Sequence, residues 1–401
     1  MISHLGPQLG IADGIALSEK LNETGKVALA FSGDGGASEG DFHEALNVAA
    51  VWDLPVIFVV ENNQWGLSTP SNEQFRCKQF IDKGIGYGIE TMQIDGNNVL
   101  EVANAVAEIK NRIKEKSRPF LLECITFRIR GHEEASGIKY YPEGLVEEWS
   151  PKDPVIKFEK YLVDQKVLTA DECSKIKKDY TDLITTDFEI ANQEPIIESS
   201  KEKEINDLFL SNDAKMIEPK GTNKEMRFID AIADALDIAL DRNPELVYMG
   251  QDIADYGGVF KATDGLAAKY SKERVRNTPL CESAIVGAAL GLSVKGQKAM
   301  VEMQFSDFVT CGFNQIVNNL AKIHWRWGQN ADVVVRMPTG ANVGAGPFHS
   351  QSTESWFFHT PGLKILYPST PEDAKGLLLA AFQDPNPVMF FEHKYLYRSL
   401  S

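Results

Sequence analysis

The stretch Phe31-Ser32-Gly33-Asp34-Gly35-Gly36-Ala37-Ser38 is followed, with 26 residues between Gly35 and Asn62, by Asn62-Asn63-Gln64-Trp65-Gly66, and this spacing decides the fold. Residues 26–31 read as a buried strand, Ser38 with Asp41 reads as a capping box, and residues 54–60 read as a second buried strand. Such an interval carries a chain from one parallel strand across a helix to the next, so the glycines and asparagines fall at the same sheet edge. There Asp34 and a side-chain oxygen of Asn63 can coordinate Mg2+. The amides of Gly35 and Gly36, at a helix N-terminus, can face phosphates.

Working outward, residues 64–88 read as a loop and 92–96 as a short strand. Residues 98–116 read as an amphipathic helix with Val99, Val102, Val106, Ile109 and Ile113 on one face, and 119–125 as another apolar strand. Alternating strands and helices predict a doubly wound parallel sheet, which sets residues 1–165 as a first, diphosphate-binding domain. Residues 166–220 are charged and helical without strand candidates, as expected of a linker. A second α/β pattern fills residues 221–401, with helices at 225–241, 284–295, 312–327 and 372–382 and strands at 245–250, 299–304, 332–337 and 363–367. The fold class is α/β: two doubly wound parallel-sheet domains joined by a helical linker.

The 401 residues, 43% of them hydrophobic, can fill two or three cores. No segment approaches the roughly 20 apolar residues of a membrane helix, and no signal-peptide pattern opens the chain, so a cytoplasmic location is the default expectation. The five cysteines are scattered with no C-x-x-C pair, which argues against a disulfide framework or a zinc knuckle. A formal net charge of −16 disfavours nucleic-acid binding.

Four further constellations carry chemistry. Phe127-Arg128-Ile129-Arg130-Gly131-His132 follows a strand of the first domain and emerges at the edge that carries Asp34 and Asn63, where two arginines and a histidine suit a phosphate or carboxylate. Asn277-Thr278-Pro279-Leu280-Cys281-Glu282 runs into a helix of glycine and alanine that invites close approach of another backbone, placing Glu282 at a domain interface. Met303-Gln304-Phe305-Ser306-Asp307-Phe308 sets a polar strand end among aromatic residues. The glycine-rich run 339–352 ends at His349-Ser350-Gln351-Ser352, where an imidazole on a mobile loop suits proton transfer.

Taken together, these residues resemble the thiamine diphosphate-dependent decarboxylase component of the 2-oxo acid dehydrogenase complexes, with α- and β-type subunits fused in one chain. The resemblance spans nearly all of the sequence, through the motifs above and the run from Pro361-Gly362-Leu363-Lys364 to Glu372-Asp373-Ala374-Lys375-Gly376. It implies that Asp34, Asn63 and the Trp65 carbonyl bind Mg2+, that Gly35 and Gly36 hold the diphosphate, and that Arg128 and His132 line the phosphate end and the entrance. It further implies Leu5 as support for the aminopyrimidine ring, a desolvated Glu282 at that ring's nitrogen, and His349 as acid/base toward substrate, intermediate or lipoyl group. Gln304 and Phe308 would line the substrate pocket. A structural potassium site is implied at Val333, Ala381, Phe382, Asp384 and Asn386.

The motifs around Gln304, His349 and Phe391-Glu392-His393-Lys394-Tyr395-Leu396-Tyr397-Arg398 look more like branched-chain than pyruvate enzymes. The implied partners are a 2-oxo acid and the lipoyl domain of a dihydrolipoyl acyltransferase. In the family the cofactor lies between the two domain types, usually of different protomers, which predicts at least a homodimer. Three departures accompany the resemblance. Family chains extend upstream of the position of Met1 and beyond that of Ser401, so both ends look cut, and Glu133 stands where regulated members carry a phosphorylatable serine. The competing expectations are a pyruvate dehydrogenase component, a transketolase-like ketol transferase, and a catalytically incomplete fragment.

Overall fold

The computed structural model describes residues 4–133, 135, 137–212, 218, 221 and 223–399. Ser3 and residues 213–217, 219 and 220 of the expected linker lie outside them. Helix α1 (Pro7–Leu21) precedes β1 (Ala28–Gly33), and a 3-10 turn over Gly35–Ser38 with α2 (Gly40–Val51) leads to β2 (Val56–Asn62). The expected loop after β2 is instead structured. It holds a short hairpin of β3 (Trp65–Gly66) and β4 (Thr69–Pro70), then α3 (Ser71–Gln74) and α4 (Ile81–Tyr87). Next come β5 (Glu90–Asp95), α5 (Val99–Glu115) and β6 (Phe120–Ile125), giving a parallel sheet of order β1-β2-β6-β5.

Two local expectations change. The capping box is absent: Glu39 is the N-cap of α2, Ser38 belongs to the preceding turn, and neither caps with its side chain. Strand β1 is half-buried rather than buried, with Leu29 43% and Phe31 52% exposed. Their register partners Ile57 and Val59 lie beneath Ala105, Ile109 and Ile113 of α5, and that helix covers β2, β6 and β5 without reaching the edge strand β1. Val99, the first residue of α5, is exposed and adds nothing to that face.

The connecting region forms α6 (Leu145–Trp149), α7 (Pro154–Asp164), α8 (Ala170–Gln193) and α9 (Lys201–Asn206), with no strand among its described residues. Thr169 and Glu172 close a reciprocal capping box at the start of α8.

The second half contains α10 (Phe228–Arg242), β7 (Val247–Gly250), α11 (Leu266–Tyr270), β8 (Val275–Asn277), α12 (Glu282–Val294) and β9 (Ala299–Glu302). Helical turns over Ser306–Gly312 and Gln315–Leu320 and the short α13 (Ile323–Trp327) replace the single expected helix over 312–327. Then follow β10 (Val333–Thr339), β11 (Lys364–Leu366), α14 (Pro371–Ala381), β12 (Val388–His393) and α15 (Leu396–Ser399). The six strands are parallel in the order β11-β12-β10-β9-β7-β8. Buried Arg336 of β10 donates to both oxygens of Glu392 of β12 at 2.6 Å and to Glu302 of β9 at 2.5 Å, tying three strands together.

The halves join where α1 crosses α12. A Cβ on Gly14 would lie 1.9 Å from the carbonyl oxygen of Ala288, and one on Gly291 would lie 2.1 Å from that of Ile11, so only glycine permits this approach. Gly10 and Gly287 repeat the arrangement one turn earlier, with a Cβ on Gly287 falling 3.0 Å from the Gly10 backbone. One apolar core runs through both helices and joins the two domains.

Candidate active site

The carboxyl ends of β1, β2 and β6 deliver Asp34, Asn63 and Arg128 to one edge of the first sheet, because β2 lies between the other two. Asp34 is buried, and its Oδ2 accepts from Ser71 Oγ at 2.9 Å. Burial raises its carboxyl pKa, an effect opposed by the Ser71 hydroxyl, the Gly35 amide and the Arg128 charge.

The paired asparagines divide the work. Asn62 points inward and donates to Glu123 Oε1 at 2.7 Å; Glu123, itself fully buried, also accepts from the Phe80 amide at 2.9 Å and from Gln93 at 3.0 Å. Asn63 turns the other way, and its Oδ1 accepts from the Trp65 amide at 2.9 Å. Trp65 packs on Tyr140 and Tyr141, with ring centroids 5.6 and 5.1 Å away, so the backbone that follows Asn63 is braced by rings.

Gly35 and Gly36 form a surface with no room for side chains. A Cβ on Gly35 would meet Gly66 Cα at 3.0 Å, and one on Gly36 would meet Ser32 Oγ at 2.5 Å and Leu5 Cβ at 3.7 Å. Arg128 donates to the Leu67 carbonyl at 2.6 Å and to Tyr140 Oη at 3.1 Å, and lies 3.3 Å from His132 Nδ1. Its Nε is buried without a partner. Bare glycine backbone, one carboxylate with neutral oxygen donors, and an unpaired guanidinium nitrogen together fit a diphosphate and a hard divalent ion. No group of three or more His, Cys, Asp or Glu capable of holding a metal occurs among the described residues.

The second half reaches this edge through α12. Its first turn docks on the first turns of α2: Ala284 N–H donates to Glu44 Oε2 at 3.0 Å, Ser283 Oγ donates to Asp41, and Asn314 donates to Asp41 Oδ2 at 3.5 Å. Gln315 donates to the Pro7 carbonyl at 2.9 Å, and His4 lies 3.3 Å from Asn319 Oδ1. Glu282, the first residue of α12, therefore sits at the helix start that leads back to the Gly35–Gly36 turn and Leu5.

The two domain types meet within one chain. Glu282 is half-buried, and so short of the desolvated carboxylate expected. The acid that burial raises at this boundary is Glu44, with Asp41 and Glu282 adding repulsion and the Ala284 amide opposing it. Sequence reading took Asp41 only for a capping residue and passed over Glu44, although two acids three residues apart on the helix after Gly35 were a visible signal.

His349 closes a 3-10 turn over Pro347–His349 after β10. Its ring is met edge-on by Phe305 at 4.9 Å and Phe308 at 5.5 Å, and its Nδ1 is buried without a partner. Phe308 lies in the Ser306–Gly312 segment, whose other end touches the start of α12: a Cβ on Gly312 would be 3.2 Å from the Glu282 carbonyl oxygen. That segment thus links Glu282 to His349. Gln304 donates to Asp252 Oδ2 at 2.7 Å, beside Phe305. Behind Phe305, Lys394 is buried with its ammonium 5.2 Å from the ring; burial pushes its pKa down to about 8, with Asp307 opposing.

Two of the residues expected to hold potassium make polar contacts of their own. Asp384 pairs with Lys364 at 2.5 Å and accepts from Asn386 at 2.8 Å, while Asn386 Oδ1 accepts from the Leu210 amide at 2.8 Å. Val333 in β10 and Ala381 and Phe382 at the end of α14 are buried in the domain cores.

Residues 2–200 match the family model described as Dehydrogenase E1 component, and residues 224–399 match Transketolase, pyrimidine binding domain. An E1 dehydrogenase-type segment is thus followed by a transketolase pyrimidine-binding segment. The chain is similar to the 2-oxoisovalerate dehydrogenase subunit beta 2, mitochondrial, of Arabidopsis thaliana, 46% identical over 180 residues, which is 44% of this chain and 50% of that protein. It is 47% identical over 175 residues to the 2-oxoisovalerate dehydrogenase subunit beta of Bacillus subtilis (strain 168), 43% of this chain and 54% of that one. The pyruvate dehydrogenase E1 component subunit beta of Acholeplasma laidlawii is 44% identical over 173 residues, 43% of this chain and 53% of its own length. The chain spans about half the length of these curated relatives. Among the described residues no helix is long and apolar enough to cross a membrane.

Proposed function

We propose that this chain is the thiamine diphosphate-dependent component that decarboxylates a 2-oxo acid, with branched-chain substrates such as 3-methyl-2-oxobutanoate favoured, and passes the acyl group to the lipoyl group of a dihydrolipoyl acyltransferase. The observation that carries the reading is the docking of the first turn of α12, with Glu282, onto the first turns of α2, beside Leu5 and the glycine cradle. In this arrangement Asp34, Asn63 and the Trp65 carbonyl hold Mg2+, the amides of Gly35 and Gly36 with Arg128 hold the diphosphate, and His132 lines the entrance. Thiamine diphosphate, when bound, supplies the electron sink for loss of CO2. Glu282 would hydrogen-bond the ring nitrogen of the bound aminopyrimidine and so favour its imino tautomer, and Leu5 would support that ring. His349, with Nδ1 free inside its aromatic clamp, moves a proton to or from the substrate, while Gln304 and Phe308 shape the pocket.

The names of the relatives include both 2-oxoisovalerate and pyruvate dehydrogenases, which supports the 2-oxo acid class more strongly than the branched-chain preference. Calorimetric titration with thiamine diphosphate is expected to show Mg2+-dependent binding. Ferricyanide reduction or CO2 release is expected with 3-methyl-2-oxobutanoate above pyruvate. Binding without turnover of any 2-oxo acid would overturn the reaction, and turnover of sugar phosphates alone would assign a ketol transferase.

A further inference from the structure

Lys394, the first residue after β12, is 5% exposed, and its ammonium is buried without a hydrogen-bond partner. A bare buried charge is costly unless another charge or a dipole offsets it. Two groups do so in part. The Phe305 ring centre lies 5.2 Å from Nζ. Asp307, 6% exposed, attracts the ammonium and has its own Oδ2 buried without a partner. Of the other ionisable groups around Lys394, Glu392 is held by Arg336 and Tyr397. His393 is lowered in pKa by burial and then by the Lys394 charge, with Glu354 opposing, and His349 shares the Phe305 ring.

These groups lie where the glycine-rich run is closed. At one end Gly340 N–H and Thr339 Oγ1 donate to the Gln351 carbonyl at 2.9 and 3.0 Å, and Ser306 Oγ donates to Thr339 Oγ1 at 2.9 Å. Lys394 N–H donates to the Thr339 carbonyl at 3.0 Å. At the other end the Gln351 amide donates to Asp307 Oδ1 at 3.1 Å. Residues 341–348 between these ends are exposed, and His349 precedes Gln351 by two positions. The ammonium thus bears on both supports of His349: the ring it packs against, and the carboxylate that holds Gln351. Without that charge the carboxylate is left buried and uncompensated, which weakens the closure.

We infer that Lys394 is a positioning residue whose ammonium, through Asp307 and Phe305, keeps the glycine-rich run closed and His349 in place. Its importance for proton transfer rests on the proposed function, but the closure is measurable without turnover. Burial pushes the Lys394 pKa down to about 8, with Asp307 opposing, so the charge is present below that pH and lost above it. Chymotrypsin can cleave after Phe348, which is exposed within the run, and after Phe188, which is exposed on α8 and serves as the reference in the same digest. In the parent, cleavage at Phe348 relative to Phe188 is expected to rise at least about fivefold from pH 7 to pH 9. Lys394→Arg, whose charge persists, is expected to flatten that rise, Asp307→Asn to move its midpoint to lower pH, and Lys394→Met to be cut fast at both pH values. In step, kcat/KM for the 2-oxo acid should fall over this interval in the parent and not in Lys394→Arg. A flat parent ratio, Lys394→Met cut like the parent, or kcat/KM with the same pH dependence in parent and Lys394→Arg would each overturn the positioning role. A parent that shows the cleavage pattern but turns over no 2-oxo acid would uphold the closure and overturn the proposed function instead.

Discussion

The two sides of the candidate site are held in different ways. On the first-half side, Asp34 and Asn63 are fixed by hydrogen bonds at 2.9 Å, and the buried Asn62–Glu123 network anchors the strand ends beneath them. On the second-half side, Glu282 depends on where α12 crosses α1, and His349 is positioned by two aromatic edges at the end of an exposed glycine-rich run. The cradle is therefore preorganised within its own sheet, whereas the acid/base side exists only while the halves stay docked. Phosphate and metal binding need fixed dipoles, but a proton-transferring imidazole needs only a defined neighbourhood and one free nitrogen.

The contrast breaks most completely at the glycine crossing. Gly14→Val forces a side chain into the Ala288 carbonyl and is expected to cost at least about 3 kcal/mol, lowering the melting temperature and abolishing thiamine diphosphate binding even though the first-half cradle is untouched. Gly376→Ala in α14, where a Cβ meets open space, serves as the control and should stabilise by roughly 0.5–1 kcal/mol. Retained cofactor affinity in the Gly14 variant would mean that the first half binds alone.

A smaller effect tests the cradle itself. Because burial raises the Asp34 carboxyl, acidification protonates it earlier than an ordinary aspartate and removes the charge proposed to hold Mg2+. Mg2+-dependent binding of thiamine diphosphate should therefore strengthen as pH rises through that raised value. Asp34→Asn should lower affinity about tenfold to a hundredfold and flatten the pH dependence, as titration calorimetry across pH would show. A variant with unchanged pH dependence would place the titrating group elsewhere.

The smallest expected effect concerns Asp13, which lies in α1 at the crossing, fully buried with both carboxylate oxygens unpartnered and its pKa raised well above the usual range by burial. A carboxyl whose folded pKa exceeds the unfolded one stabilises the fold at low pH and loses that contribution as pH rises through the folded value. Asp13→Asn removes the charging cost, so its melting temperature should exceed that of the parent by a few degrees at pH 8 and by less at pH 5. An equal difference at both pH values would show that Asp13 does not titrate.

Much of this was legible in the chain. The interval from Gly35 to Asn62 gave a parallel crossover, and the Gly-Ala run after Glu282 announced a close backbone approach, because chain reach and glycine sterics are properties of local sequence. The structured segment after Asn63 was hidden because its helices are short and polar, without a periodic apolar face. Strand β8 escaped because Val275–Asn277 is three residues long, and the half-exposure of β1 because one strand's residues cannot say where a neighbouring helix ends.

The sequence by itself determined the two parallel α/β halves, the oxygen donors and glycines of the first, and the acid and imidazole of the second, since each follows from residue type and spacing. Only the tertiary structure decided that Asn62 binds buried Glu123 while Asn63 accepts from the Trp65 amide, that Lys364 pairs with Asp384, and that Asp41 and Glu44 receive the first turn of α12. These outcomes depend on which groups meet across hundreds of residues, where burial and hydrogen-bond geometry rather than sequence spacing set the energy.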